Sequence, residues 1–274
     1  MAVRKQRVAF IYDFDGTLSP GNMQEYDFIP KLNLNSRKFW GEVKSKAKEQ
    51  QADEILAYMH LMLRKANEHG VRVTRKDFKD YAKDIKLFSG VKGWFDRVNK
   101  YAKSQNLIPQ HYIVSSGIRE MLMGTSIASK FKKIYASSFM YDHHDVAEAA
   151  GLAINYTTKT QFLFRINKGV LDLWDNKKVN EFIQLDDREV PFRNMVFVGD
   201  GATDVPCMRL VKALGGHSVA VYKPNTSKEL AERLKKEGRV NYVAPADYSK
   251  GSKMDKIAHA VINKVTAYWA AQKV

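Results

Sequence analysis

The sequence predicts an α/β protein: a doubly wound parallel sheet with helices on both faces and an α-helical block inserted after the first strand. Three observations predict it. Short apolar runs that end in small or polar residues alternate with amphipathic helical stretches over most of the chain, which argues for a parallel sheet covered on both sides. Residues 20–105 interrupt that alternation with helical periodicity and no strand signal. The 274 residues suffice for one large domain, or for a core with a smaller insertion.

Taken in order, "QRVAFIYD" (6–13) reads as a buried strand, rich in β-branched and aromatic residues. In the inserted block, "ADEILAYMHLMLRKANEHG" sets Ile55, Met59, Met62 and Leu63 on one helical face and stops at a glycine. "TRKDFKDYAKDIKLF" starts at a threonine cap and predicts a helix with Phe78, Tyr81, Ile85 and Phe88 on one stripe. "GVKGWFDRVNKYAKSQNL" follows as another helix. Strands are predicted at 111–117, 133–139, 195–201, 217–222 and 241–245, with helices at 118–130, 159–168, 203–213, 226–237 and 252–272. Residues 170–194 are polar and irregular. The domains expected are a core of 1–20 with 106–274 and a helical cap of 21–105.

Composition narrows the classes. Apolar residues make up 45% and charged residues 27%, so a packed core is expected and global disorder is not. A single cysteine, Cys207, forbids an intrachain disulfide and fits a reducing compartment. The first apolar run is short and ends in carboxylates, unlike a secretory leader, and no window approaches the roughly 18 uncharged apolar residues of a membrane span. A cytoplasmic protein without membrane contact is expected. The net charge is +15, and residues 31–105 hold 18 Lys/Arg against 9 Asp/Glu. Solvated helical faces are the plainer explanation, because acidic residues are interleaved throughout. Attraction of nucleic acid or another anion is the rival, without a groove-reading helix to support it.

Ligands of open parallel sheets bind beyond the carboxyl ends of the strands. Four chemically loaded places fall there: Asp13 and Asp15 after the first strand, Ser115 and Ser116 after the second, Asp200 and Asp204 after "MVFVG", and Lys159 at the start of "KTQFLFRINKG". Converging carboxylates stay ionised together only when a cation or a proton separates them. An all-oxygen donor set suits Mg²⁺. A lysine and hydroxyls beside glycine-rich turns suit a phosphoryl group.

These residues resemble the motifs of the haloacid dehalogenase-like hydrolases. DxDGT is similar to Asp13-Phe14-Asp15-Gly16-Thr17, the apolar strand ending in serine to "YIVSSG" with Ser115, and GDGxxD to Gly199 through Asp204. The third motif is a lysine, for which Lys159 is the first choice and Lys168 the next. The resemblance implies a Rossmann-like core and a Mg²⁺-dependent phosphatase acting on a small phosphorylated metabolite. Asp13 would be the nucleophile, forming an aspartyl-phosphate, and Asp15 the general acid and base. Asp13, Asp200 and the Asp15 carbonyl would hold the metal, with Asp204 holding it through water or orienting Lys159. Gly16, Thr17, Ser115, Ser116, Gly117 and Lys159 would hold the phosphoryl oxygens. A phosphotransferase, or a non-catalytic anion- or nucleic-acid-binding protein on the same fold, is the alternative. A monomer or homodimer is expected.

The inserted helices resemble the cap of phosphoserine phosphatases. Those enzymes carry a glutamate nine residues after the nucleophile, where this chain has Asn22; Glu25 is the nearest acid. That departure argues against phosphoserine. Trp40, Trp94, Trp174 and Trp269 read as packing residues, with Trp40 and Trp94 alternatively lining a substrate pocket. His143-His144 belong in a hairpin-like loop rather than in a metal pair.

Overall fold

Alternation along β1 (Arg7–Tyr12) defines the two faces of the sheet. Val8, Phe10 and Tyr12 enter one buried cluster, Ala9 and Ile11 the other. The computed structural model describes residues 5–272. The other strands are β2 (Ile108–Ile118), β3 (Lys133–Tyr141), β4 (Ala147–Leu152), β5 (Met195–Gly199), β6 (His217–Tyr222) and β7 (Tyr242–Pro245). They form one sheet in the order β4-β3-β2-β1-β5-β6-β7. All neighbours pair in parallel except β3 and β4. Tyr12 pairs with Ile113 on one side and Val198 on the other, so β1 and β5 end nearly level while β2 runs on to Ile118.

One face is covered by α5 (Val91–Ser104) and α11 (Lys253–Ala271), the other by α7 (Thr158–Lys168), α9 (Val205–Ala213) and α10 (Glu229–Lys236). Between β1 and α5 lie α1 (Phe28–Lys31), α2 (Ser36–Glu49), α3 (Glu54–Glu68) and α4 (Arg75–Asp80). Two short helices complete the set, α6 (Arg119–Gly124) and α8 (Asn176–Asn180).

A buried polar chain joins α5 to the sheet. The Trp94 indole donates to the Tyr12 hydroxyl (2.8 Å), which lies 3.1 Å from His111 Nδ1. His111 Nε2 is 3.0 Å from Asn99 Oδ1. Burial pushes the His111 imidazole down to about 3, so it is neutral. A neutral ring with Nε2 protonated accepts from Tyr12 and donates to Asn99, which satisfies every member.

Three local expectations change. The helix predicted through Phe88 ends at Asp80, because the chain turns away so that the Phe88 amide can donate to the Leu18 carbonyl (2.9 Å). The helix predicted over 118–130 is α6 followed by a 3₁₀ turn at Ala128–Lys130. β4 was not predicted: "AEAAGL" is largely exposed and poor in β-formers, and it forms by backbone pairing with β3. The Ala147 amide also donates to the Val73 carbonyl (2.9 Å), tying this hairpin to the inserted helices. His143 and His144 sit in its turn, where Asp142 Oδ1 accepts from the His144 and Val146 amides. Residues 170–194 wrap around α7. Buried Arg165 donates to the carbonyls of Asp172 (2.7 Å) and Leu173 (3.1 Å), and Asn167 to that of Val190 (2.8 Å).

Trp94 is fully buried and donates the first bond of the polar chain, so Trp94→Ala is expected to lower unfolding stability by about 3–5 kcal/mol. Urea denaturation followed by circular dichroism measures it.

Candidate active site

The ladder between β1 and β5 continues one residue beyond β1, where the Asp13 amide donates to the Val198 carbonyl (2.9 Å). The Asp13 side chain therefore emerges at the end of the sheet, only 6% exposed. The chain then turns tightly: the Thr17, Leu18 and Ser19 amides all point at the Phe14 carbonyl. Gly16 has φ of +77°, and a Cβ there would overlap the Asp200 carboxylate, so the turn needs glycine for both conformation and space. Thr17 Oγ1 donates to Asp200 Oδ1 (3.2 Å), joining the ends of β1 and β5. Asp15 Oδ1 accepts from the Met23 amide (3.0 Å).

β2 delivers its residues through a bulge. Ser115 pairs with Ala136 and Ile118 with Ser137, so Ser116 and Gly117 are looped out at the strand end. Ser115 Oγ accepts from the Gly117 amide (3.1 Å). A Cβ on Gly117 would collide with Met23, which fills the space beneath the bulge. Thr17 and Ser115 are buried, whereas Ser116 presents its carbonyl to the Tyr58 hydroxyl (2.6 Å).

Lys159 is the second residue of α7 and is completely buried. Its ammonium donates to Asp13 Oδ1 (3.0 Å) and Asp204 Oδ1 (2.7 Å). Asp204 Oδ2 accepts from the amides of Asp200 and Gly201, both at 3.2 Å, and so shapes the turn before α9. The two candidate lysines are placed differently: Lys168 donates to the carbonyls of Val179 (2.6 Å) and Glu181 (2.7 Å). Cys207 is buried in α9, and burial pushes its thiol up.

Charge balance is the central property here. Burial pulls the Lys159 ammonium down, but Asp13 and Asp204 together outweigh that and hold it charged. One lysine does not neutralise the group. Burial and the Asp204 charge push the Asp13 carboxyl up to about 6, against the pull of Lys159. Burial and the charges of Asp13 and Asp204 push Asp200 up to about 8. Asp15 is raised well above the usual carboxylate range, by burial and then by Asp13. Asp13, Asp200 and Asp204 each offer one oxygen within 4.8 Å of the others. Such a cluster fits a hard divalent cation, which would replace the protons that otherwise relieve the repulsion.

The site opens into a cleft of about 510 Å³ lined by Asp13, Asp15, Ser115–Gly117, Lys159, Asp200, Gly201 and Thr203. Its opposite wall comes from the inserted helices: Asn22, Gln24, Trp40, Lys44, Glu54, Ile55 and Tyr58. Of the two tryptophans considered for this role, Trp40 lines the cleft and Trp94 lies buried against the sheet. Lys44, Glu54, Ile55 and Tyr58 were not picked out as site residues. Their residue types and helical spacing match any amphipathic helix, and only the packing of α2 and α3 over the strand ends distinguishes them.

Two outcomes follow for the isolated protein. Lys159→Met leaves Asp13 and Asp204 buried without a counter-ion, for a loss of about 3–5 kcal/mol. The loss should be smaller at pH 5 than at pH 8 in chemical denaturation, because protonation relieves the repulsion. For Asp200 the pKa is raised, so between about 4 and 8 the folded protein holds a proton that the unfolded chain has released, and stability falls as pH rises. In metal-free buffer at pH 8, Asp200→Asn should therefore melt above wild type, by at least about 2 °C in a chain of this size. Added Mg²⁺ should raise the wild-type melting temperature and erase the gap; calorimetry reads both.

Comparison with known proteins agrees with this arrangement. Residues 10–209 match the family model described as haloacid dehalogenase-like hydrolase. A Borreliella burgdorferi protein described only as uncharacterized is 28% identical over 281 residues, covering 93% of this chain and 96% of its own. The fold is similar to that of a HAD family hydrolase from Salmonella enterica serovar Typhi, at TM-score 0.59 and 13% identity, over 94% of this chain and 72% of that one. It is also similar to phosphoserine phosphatase captured as a phospho-aspartyl intermediate analogue, at TM-score 0.52 and 14% identity, over 87% of this chain and 93% of that one. With the family model spanning both carboxylate-bearing strand ends and the lysine between them, this chain belongs to the haloacid dehalogenase-like hydrolases.

Proposed function

We propose that the protein is a phosphatase that hydrolyses a small phosphate monoester through an aspartyl-phosphate on Asp13, with Mg²⁺ as its cofactor. The observation that carries this reading is the buried Lys159 ammonium held between Asp13 and Asp204, beside Asp200 and at the floor of a cleft shared with Asp15 and Ser115. An anionic nucleophile meets an anionic phosphoryl group only where positive charge offsets the repulsion.

In the first step an Asp13 carboxylate oxygen attacks phosphorus. The bond from phosphorus to the leaving oxygen breaks, and Asp15 gives that oxygen its proton. The upward shift of the Asp15 carboxyl, caused by burial and then by the Asp13 charge, supports a proton-donating role. In the second step water attacks phosphorus and gives its proton to Asp15, and the bond to Asp13 breaks, releasing phosphate. Lys159, the Ser115 hydroxyl and the backbone amides around Gly16 and Gly117 would hold the phosphoryl oxygens, with Thr17 and Ser116 supporting the two turns. The side chains of Asp13 and Asp200 and the carbonyl of Asp15 would hold Mg²⁺, which supplies charge stabilisation for the phosphoryl group. Of the two roles open to Asp204, its bonds to Lys159 and to two loop amides favour orienting Lys159.

The lid in this reading is built from α1–α4. Residues 21–105 were expected to form it, but α5 packs against β2 and α11, and we assign α5 to the core. Tyr58 donating to the Ser116 carbonyl, and Asn155 donating to Asp53, hold the lid over the cleft. Closure there would keep water from the first step.

The test is hydrolysis of p-nitrophenyl phosphate and a panel of phosphorylated metabolites with and without Mg²⁺. Release should require Mg²⁺ and fall by at least about 10³-fold in Asp13→Asn, which has no anionic nucleophile. Activity that survives Asp13→Asn would remove Asp13 from this role. Inactivity of wild type on the whole panel would favour an anion-binding protein on the same fold.

A further inference from the structure

The lid wall of the cleft carries a pattern that identifies the leaving group. Trp40 and Lys44 are four residues apart on α2, hence on one helical face, and both line the cleft. The Trp40 ring is fixed from two directions. Its indole donates to Glu25 Oε1 (2.7 Å), which also accepts from the Asn22 side-chain Nδ2 (2.9 Å). It also packs edge-to-face with Tyr58 (centroids 5.8 Å apart, planes at 67°) and Phe39 (5.2 Å, 82°). A half-buried indole held this way gives the cleft a pre-ordered aromatic lining.

Charge along the same wall is equally specific. Glu25, the nearest acid to Asn22, is occupied with two neutral donors and serves to position Trp40. Glu54 stands in the first turn of the 15-residue α3, where the positive end of the helix offsets its charge. Lys44 has no such compensation. It is exposed in the middle of α2, and among the described residues it takes part in no ion pair. An unpaired ammonium beside an ordered aromatic face suits a ligand with a planar group and an anion.

Resting on the phosphatase reading, we propose that the substrate is a phosphate monoester whose leaving group contains a planar unsaturated ring and a second anionic group. Trp40 packs against the ring and Lys44 meets the second anion. Both are specificity-determining residues, and Glu25 is a positioning residue acting through Trp40.

Binding of phosphonates, which lack the scissile ester oxygen, tests this apart from turnover. Titration calorimetry in Mg²⁺ buffer would compare 4-carboxybenzylphosphonate (ring and carboxylate), benzylphosphonate (ring alone) and 3-phosphonopropionate (carboxylate alone). Wild type should bind the first most tightly. Lys44→Gln should weaken that ligand about tenfold and leave benzylphosphonate unchanged, the effect of one charge-assisted hydrogen bond. Trp40→Leu should weaken both ring ligands by a similar factor and spare 3-phosphonopropionate. Glu25→Ala should mimic Trp40→Leu, whereas Glu25→Gln should restore wild-type affinity, because its amide oxygen accepts the same two bonds. Absent binding, equal affinity for the three ligands, or variants that weaken all three alike would overturn the inference. Ester hydrolysis that persists in that event would leave the phosphatase reading standing.

Discussion

A lysine ammonium without solvent contact, shared by two carboxylates, is the constraint on which the rest of this molecule depends. Lys159 reaches Asp13 and Asp204 from a different layer of the fold, and those carboxylates lie 191 residues apart in the chain. A buried ion pair of this kind contributes little net stability, because desolvation consumes most of the attraction. Its effect is on placement: once the charges are buried, any shift of β1, α7 or the turn before α9 leaves one of them unpaired. Asp204 extends the constraint by binding the Asp200 and Gly201 amides, and Thr17 extends it by binding Asp200.

The sheet topology is what allows so many like charges to meet. Because β1 sits centrally between β2 and β5, with the three strands parallel, their carboxyl ends form a single edge. The β2 bulge turns Ser116 and Gly117 out of the ladder at that edge, and the φ of Gly16 lets the first turn pass against Asp200. The excess of negative charge that results is consistent with a cation and a phosphoryl group as joint occupants.

Basic character belongs to a different layer of description. In the inserted helices part of it is absorbed in surface pairs: Arg64 reaches Glu42 and Glu68, Lys65 reaches the same two residues, and Lys83 pairs with Asp80. Such pairs stabilise little individually but keep a lysine-rich helical surface from repelling itself. Lys44 stands apart because it faces the cleft and not this network.

The sequence by itself determined the class of fold, five of the strand–helix alternations and the residues at the strand ends. Hydrophobic periodicity is a local property, and DFDGT and GDGATD owe their form to turns only a few residues long. Tertiary structure alone decided the rest. That Lys159, and not Lys168, meets Asp13 and Asp204 depended on which end of α7 meets the sheet edge. β4 owes its existence to the backbone of β3, and the wrapping of 170–194 to the buried Arg165 guanidinium, so neither left a periodic trace. Trp40 was open to two readings from the sequence, and Lys44 and Tyr58 on the same cleft wall were hidden, for the same physical reason: a helix face announces that it packs, and only the assembled fold says against what.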